Sequence, residues 1–317
     1  MLAGMNPRKS ALAEPMPVHP GRWRSWMAAL RPASLPLAAS PVLVGTAAAF
    51  WQTGTVHPAL AAMALLAAVL MQAITNLQND VGYTARSGER LGDRVGLPRA
   101  TAEGWLTPKA VRRAILALSL LAFALGMGLV TLRGWPVLVM GLVSLLAALA
   151  YMGGPRPIAY TPLGELTVFV FFGLVAVPGT EWLLAGATSS AGWLGAVSVG
   201  AVAAAVLAVN NLRDASHDRL AGRRTLAVVA GPRAMRALIG ALLAVPMLAC
   251  AGTAAGMRQP GWLLPLVLLP RGVLLWRALQ SAGTGPQLTA VVLALFRLTF
   301  WVAAWLSAAM VLARVGG

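Results

Sequence analysis

The stretch "VNNLRDASHDRLAGRRTLAV", residues 209–228, decides how this 317-residue chain reads. Asn210, Asp214 and Asp218 recur every four residues, a spacing that sets three oxygen-bearing side chains on one face of a helix. Like charges so placed repel one another unless something cationic sits between them. The residues before Asn210 are apolar, and Arg219, Arg223 and Arg224 follow Asp218. A charged helix end at the mouth of an apolar run is the first thing to explain.

Around that stretch the chain is 58% hydrophobic and 11% charged, where ordinary soluble domains carry about 25% charged residues. Apolar runs of about 20 residues are what a bilayer-spanning helix requires. Nine are present: 34–52, 58–78, 111–132, 135–152, 163–184, 192–210, 234–255, 260–279 and 288–313. They predict an all-α, polytopic membrane bundle of nine transmembrane helices over residues 31–317, preceded by a polar, basic, disordered arm over 1–30. The apolar run after Arg31 reads as a first span and not as a cleaved leader, because eight more follow.

A net charge of +16 on a soluble chain would point to nucleic acid; here its placement points to the lipid bilayer and to no nucleic-acid partner. Of the 25 Lys and Arg, 20 precede span 1, lie between spans 2 and 3, 4 and 5 or 6 and 7, or end span 8. Only Arg133, Arg258 and Arg314 lie on the opposite side. The positive-inside rule then puts the N-terminus in the cytoplasm and, after nine spans, the C-terminus outside the inner (plasma) membrane. Arg271 and Arg297 fall inside spans 8 and 9, where charge is expensive, and are expected to pair with a carboxylate or line a wet cavity. The single cysteine, Cys250, excludes an internal disulfide and a cysteine metal site.

The quoted stretch has an echo. Span 2 ends "ITNLQNDVGYTARSGER" and span 6 ends "AVNNLRDASHDRLAGRR", with Asn76 and Asp80 each 134 residues before Asn210 and Asp214. Each is followed by a basic loop and a similar helix start, "TPKAVRRAI" from Thr107 and "GPRAMRALI" from Gly231. Four spans separate the copies, so the repeat is parallel and both Asp-bearing loops lie on the cytoplasmic side.

Six of the nine acids fall in those two loops, and Glu165 opens span 5 on the same side. Helix capping and loop solubility would explain some acids, but Asp is favoured at helix N-termini and these sit at the other end. Carboxylates with Asn carbonyls, too few to fill an octahedron, are what Mg²⁺ uses when it also holds a phosphate. Guanidinium groups beside them suit a diphosphate, which Arg grips with paired donors. Some of Arg219, Arg223 and Arg224 fit equally a role as headgroup anchors.

At these residues the chain resembles the UbiA superfamily of intramembrane prenyltransferases, and within it the dihydroxynaphthoate polyprenyltransferases of menaquinone synthesis. The resemblance runs from "LRPASLPLAASPVLVG" at Leu30 through "AYMGGPRPIAYTPLGELTVFVFFGLVAVPGT" to "NNLRDASHDRLAGRRTLAV". It implies Asn210, Asp214 and Asp218, with Asn76 and Asp80 of the first copy, as ligands of Mg²⁺ and diphosphate, and Asp80, Asp214 and Asp218 as catalytic. "RVGLPRATAEGWLTP" from Arg94 follows the family pattern and brings Arg94, Arg99 and Lys109 in as diphosphate-binding candidates, beside Arg219, Arg223 and Arg224. The first motif departs from the pattern. It opens Asn79-Asp80, but where the family repeats Asp three residues on, this chain has Tyr83 or Thr84, and beyond that Glu89 or Arg90. Glu89 or Asp93 is the candidate substitute.

The chemistry this resemblance implies is transfer of a polyprenyl group from a polyprenyl diphosphate to an aromatic acceptor, dihydroxynaphthoate, with loss of carbon dioxide. Tyr151 and Tyr160, near "GGPRP", are candidates to face the allylic cation, or else belt tyrosines. Glu165 orients the acceptor or binds an arginine, and Lys109 or Arg156 meets the acceptor carboxylate. A transporter would carry its acids at mid-span. A CDP-alcohol phosphotransferase would open its motif Asp-Gly-x-x-Ala-Arg, which is absent. A UbiA-like protein that binds isoprenoid without turnover, or one with another aromatic acceptor, is the remaining alternative.

Overall fold

The computed structural model describes residues 21–86 and 96–315. Within them the chain is all helix. A short helix α1 (Arg22–Leu30) precedes α2 (Leu35–Thr53), α3 (Pro58–Ala85), α4 (Pro108–Arg133), α5 (Trp135–Met152), α6 (Gly164–Ala185), α7 (Ser190–Leu220), α8 (Leu226–Met257), α9 (Pro260–Ser281) and α10 (Gly285–Val315). The segments from α2 to α10 supply the nine apolar spans expected.

Local chemistry sets the boundaries. Pro58 and Pro108 open their helices, where the missing N–H costs nothing. The hydroxyls of Thr107 and Ser189 accept from the Ala110 and Gly192 amides and cap α4 and α7. Gly231 sits at φ 80°, ψ 170° and breaks α8, which restarts at Pro232 as "GPRAMRALI" implies. The arm expected to be disordered through residue 30 ends in nine helical residues, because Trp26, Ala29 and Leu30 pack against Ile74, Leu77 and Trp105.

Helix α7 is the hub. Its small residues, among them Ala201, Val202, Ala203 and Ala205, are buried all round, and α2, α6, α8 and α10 surround it. Where α6 crosses it, residues Phe169–Val175 widen into a π-type turn. A Cβ on Gly173 there would lie 2.4 Å from the Ala196 carbonyl oxygen and 2.8 Å from the Gly200 Cα. Backbones approach this closely in a bundle only through such small residues. Helices α4 and α5 stand at the rim with Leu116, Leu120, Leu142 and Leu146 exposed, the face a bilayer would solvate.

Successive connections alternate between the two ends. Residues 96–107, 153–163, 221–225 and 282–284 gather at one end, tied by Arg86 donating to the Met152 and Gly154 carbonyls, Arg223 to Ala159, and Arg236 to Leu279 and Ala282. At the other, Arg133 donates to Leu183 and Leu184. Arg271 and Arg297 depart from expectation. Both side chains are exposed on the outer face, and among the described residues neither forms an ion pair with a carboxylate. Their long stems let the charged heads reach away from the apolar wall, so no buried partner is required.

Candidate functional site

The apolar runs of spans 2 and 6 end near residues 78 and 210, yet α3 continues to Ala85 and α7 to Leu220. Asn76, Asp80, Asn210, Asp214 and Asp218 therefore stand on final helical turns and not on loops. Helical continuation fixes the side-chain directions that a loop would leave free.

On the α3 side, Asp80 is fully buried and its carboxylate is taken up by the loop opposite. Its Oδ2 accepts from the Ala100 amide at 2.9 Å, and its Oδ1 accepts from the Thr101 amide at 2.9 Å and the Thr101 hydroxyl at 2.6 Å. Three donors occupy most of what a carboxylate accepts. Asn76 is similarly committed: its Nδ2 donates to the Leu30 carbonyl and the Ser34 hydroxyl, and its Oδ1 accepts from Gln72. A Cβ on Gly82 would lie 2.8 Å from the Met152 carbonyl oxygen, so this glycine lets the end of α3 close on the end of α5.

On the α7 side, Arg213 forks onto its neighbour Asp214, with Nε 2.7 Å from Oδ1 and Nη2 2.9 Å from Oδ2, and reaches Thr289 of α10 through Nη1. Asp218 is fully buried. Its Oδ1 accepts from Arg223 Nη1 at 2.6 Å, while its Oδ2 has no hydrogen-bond partner among the described residues. Arg223 also donates to the Ala159 carbonyl through Nε and Nη2. Burial works against its charge, but Asp218 and three nearby tyrosines outweigh that, so the guanidinium stays charged.

Rings and guanidiniums join the two sides. Tyr83 of α3 stacks on His217 of α7, centroids 6.0 Å apart and planes 20° apart. Arg99 lies 3.9 Å and Arg223 5.6 Å from the Tyr83 centroid. Arg86 and Arg223 flank Tyr160 at 5.6 and 5.4 Å. Tyr160 therefore holds the polar layer together and does not line the cavity beneath it.

That cavity, about 300 Å³, lies among α2, α3, α5, α6, α7 and α10. Asn76, Asn79, Asn210, Arg31, Arg213 and Tyr151 make its polar pole; Leu37, Phe171, Phe172 and Phe296 make its apolar depth. Glu165 lies outside this lining; its Oε1 accepts from Asn211 at 2.9 Å, and its Oε2 has no partner among the described residues. Lys109, Arg219 and Arg224 are exposed at the surface of the same end. Arg94, with Glu89 and Asp93, lies outside the described residues.

Sequence reasoning missed Arg31, Arg213, Asn79 and His217 as part of this region. Arg213 and Asn79 each adjoin a motif acid, which is the signal that was there to use.

The donor set can be tested against a divalent cation. Along one face of α7, Asn210 opens on the cavity, and among the described residues Asp214 offers a carboxylate held only by Arg213 and Asp218 keeps a buried oxygen with no partner. Hard oxygen donors of this kind fit Mg²⁺. The described residues of the α3 side do not: Asp80 and Asn76 are engaged by protein donors, and Tyr83 brings a ring where a carboxylate would be needed. Among the described residues no three of His, Cys, Asp and Glu converge as a metal cluster.

The nine helices long and apolar enough to cross a membrane among the described residues, closed round a cavity with a polar pole and an apolar depth, define a multi-pass membrane protein. The chain belongs to the UbiA prenyltransferase family, whose profile matches residues 38–287. It is 38% identical to the 1,4-dihydroxy-2-naphthoate octaprenyltransferase of Escherichia coli (strain K12) over 66% of this chain and 70% of that one. It is also 38% identical to the protein of that name from Mycobacterium tuberculosis, over 69% and 74%. A UbiA homologue from Archaeoglobus fulgidus bound to GPP and Mg²⁺ superposes with a TM-score of 0.63 at 17% identity, over 89% of this chain and 99% of that one. At that identity the likeness speaks for the fold alone.

Proposed function

We propose that the chain transfers a polyprenyl group from a polyprenyl diphosphate to 1,4-dihydroxy-2-naphthoate with release of carbon dioxide. The observation that carries this reading is the two-ended cavity, polar under the α7 motif and apolar in its depth. The relatives' names supply the acceptor.

Asn210, Asp214 and Asp218 would hold Mg²⁺, which when bound offsets charge on the diphosphate leaving group. Arg213, which both borders the cavity and grips Asp214, is placed to exchange its carboxylate for the diphosphate. Arg223 keeps Asp218 in position and anchors the 153–163 connection. As the allylic C–O bond breaks, its electron pair leaves with the diphosphate. The ring carbon bearing the carboxylate then supplies the electrons of the new C–C bond, and loss of carbon dioxide returns a pair to the ring. The apolar depth excludes water from the allylic cation, and the Tyr151 ring borders that space. The motif end faces the cytoplasm, where most basic residues lie.

The test uses purified protein in lipid nanodiscs with polyprenyl diphosphate, Mg²⁺ and carboxyl-labelled dihydroxynaphthoate. Labelled carbon dioxide and prenylated, decarboxylated naphthoquinol are expected together. Prenylation of hydroxybenzoate, with none of the naphthoate, would overturn the acceptor and leave the donor chemistry standing.

A further inference from the structure

We propose that the tail of the polyprenyl donor leaves the reaction cavity through a second cavity that opens between α4 and α5, and that Gly141 keeps this path clear for long tails. The inference rests on the donor reading above and deepens it.

The second cavity, about 200 Å³, lies among α2, α3, α4, α5 and α6. It shares Ala68, Met71, Ser144, Val175 and Ala176 with the reaction cavity, so the two meet at a common wall. Three helices carry the lining from one to the other in steps of three or four residues, the repeat that keeps side chains on one helical face. On α3 it runs from Asn76 and Gln72 through Ala68 to Ala64. On α5 it runs from Tyr151 and Ala148 through Ser144 to Gly141 and Val137. On α6 it runs from Phe171 through Val175 to Gly179 and Leu183. From Asn76 to Ala64 the groove therefore descends about 18 Å along α3, away from the polar pole.

The second space differs in character from the first. Among the described residues no charged side chain lines it, and the Thr180 hydroxyl is spent on the Ala176 carbonyl. It suits hydrocarbon and not a diphosphate. Its far wall holds Phe123, Met127 and Leu142, all exposed on the outer face of the bundle. A Cβ on Gly126 or Gly141 would meet nothing within 4 Å, and one on Gly179 would meet only the Met140 side chain. Close packing is the rule in protein interiors, and a void forfeits dispersion contacts along its walls. A flexible apolar chain lying in this groove would recover them. The donor supplies such a chain. With its head held at the polar pole, each further isoprene unit extends down the groove, and the excess passes between α4 and α5 into the bilayer.

The test is photo-cross-linking of the wild-type protein in nanodiscs with a tetraprenyl diphosphate that carries a diazirine in its last isoprene unit, labelled residues being read by mass spectrometry. Label on residues 122–129 and 137–145 that excess unlabelled polyprenyl diphosphate removes is expected; label that the competitor leaves in place is bilayer contact and counts as none. Competed label confined to residues outside the second cavity would overturn this inference and leave the donor reading standing, and no competed label anywhere would overturn both. Gly141→Leu should lower the ratio of kcat/KM for octaprenyl over geranyl diphosphate by roughly tenfold or more. Gly128→Leu, exposed on α4 outside both cavities, should shift that ratio less than about twofold. An unchanged ratio in Gly141→Leu would also overturn the proposal. The wild-type map stands even where a variant fails to fold.

Discussion

Arg223 Nη1 lies 2.6 Å from Asp218 Oδ1, and the two side chains are only 10% and 0% exposed. The pair spans five residues, from the last turn of α7 across Ala221 and Gly222, where Gly222 turns at φ 70°. That turn carries the guanidinium back over the carboxylate.

Breaking the pair from the arginine side leaves a buried carboxylate without its counter-charge. Arg223→Ala should lower unfolding stability by about 3–5 kcal/mol, read as the midpoint of thermal aggregation in detergent. Arg223→Lys should recover part of it, because one charge returns but the fork onto the Ala159 carbonyl does not. Equal midpoints for Arg223→Ala and wild type would show that the pair contributes nothing to folding.

Gly173→Ala tests the crossing of α6 and α7. The new methyl would meet the Ala196 carbonyl oxygen at 2.4 Å and the Gly200 backbone at 2.8 Å, and overpacking of this kind costs about 1–3 kcal/mol. A lower yield of folded protein and a lower thermal midpoint are expected. Gly126→Ala, with nothing within 4 Å of the new Cβ, is the control and should match wild type.

Orientation is read by a cysteine at Ser216, which is exposed on α7 near the motif. In a Cys250→Ala background, where the only native thiol is gone, a membrane-impermeant maleimide should label Ser216→Cys in opened vesicles and not in intact cells. Labelling in intact cells would place the motif end outside.

The spans were legible because each is a run of the length a bilayer demands. The four-residue spacing of Asn210, Asp214 and Asp218 showed one helical face, and α7 carries all three. What the sequence concealed were contacts across the chain. Asp80 looked like a copy of Asp214, yet it binds a loop 20 residues on while Asp214 binds its own neighbour. Tyr83 looked like a missing ligand, and its pairing with His217, 134 residues away, emerges only when α3 and α7 lie side by side. Spacing reveals which side chains share a face; it does not reveal which donors fold onto them.

Arg213 offers the sharpest test of the α7 site, because it has two roles that a substitution separates by sign. Its fork neutralises Asp214, so it competes with any divalent ion for that carboxylate. Its place in the cavity lining also makes it a candidate to grip the diphosphate. Arg213→Gln removes both effects. With the guanidinium gone, nothing competes with the ion for the Asp214 carboxylate from that side, and the Mg²⁺ concentration for half-maximal rate should fall. The donor loses a charge-assisted contact of about 1.5–3 kcal/mol, so the KM for polyprenyl diphosphate should rise by about 10- to 100-fold. Steady-state kinetics with each ligand varied in turn would separate the two. A purely structural arginine would instead lower the amount of active enzyme and leave both constants where they were.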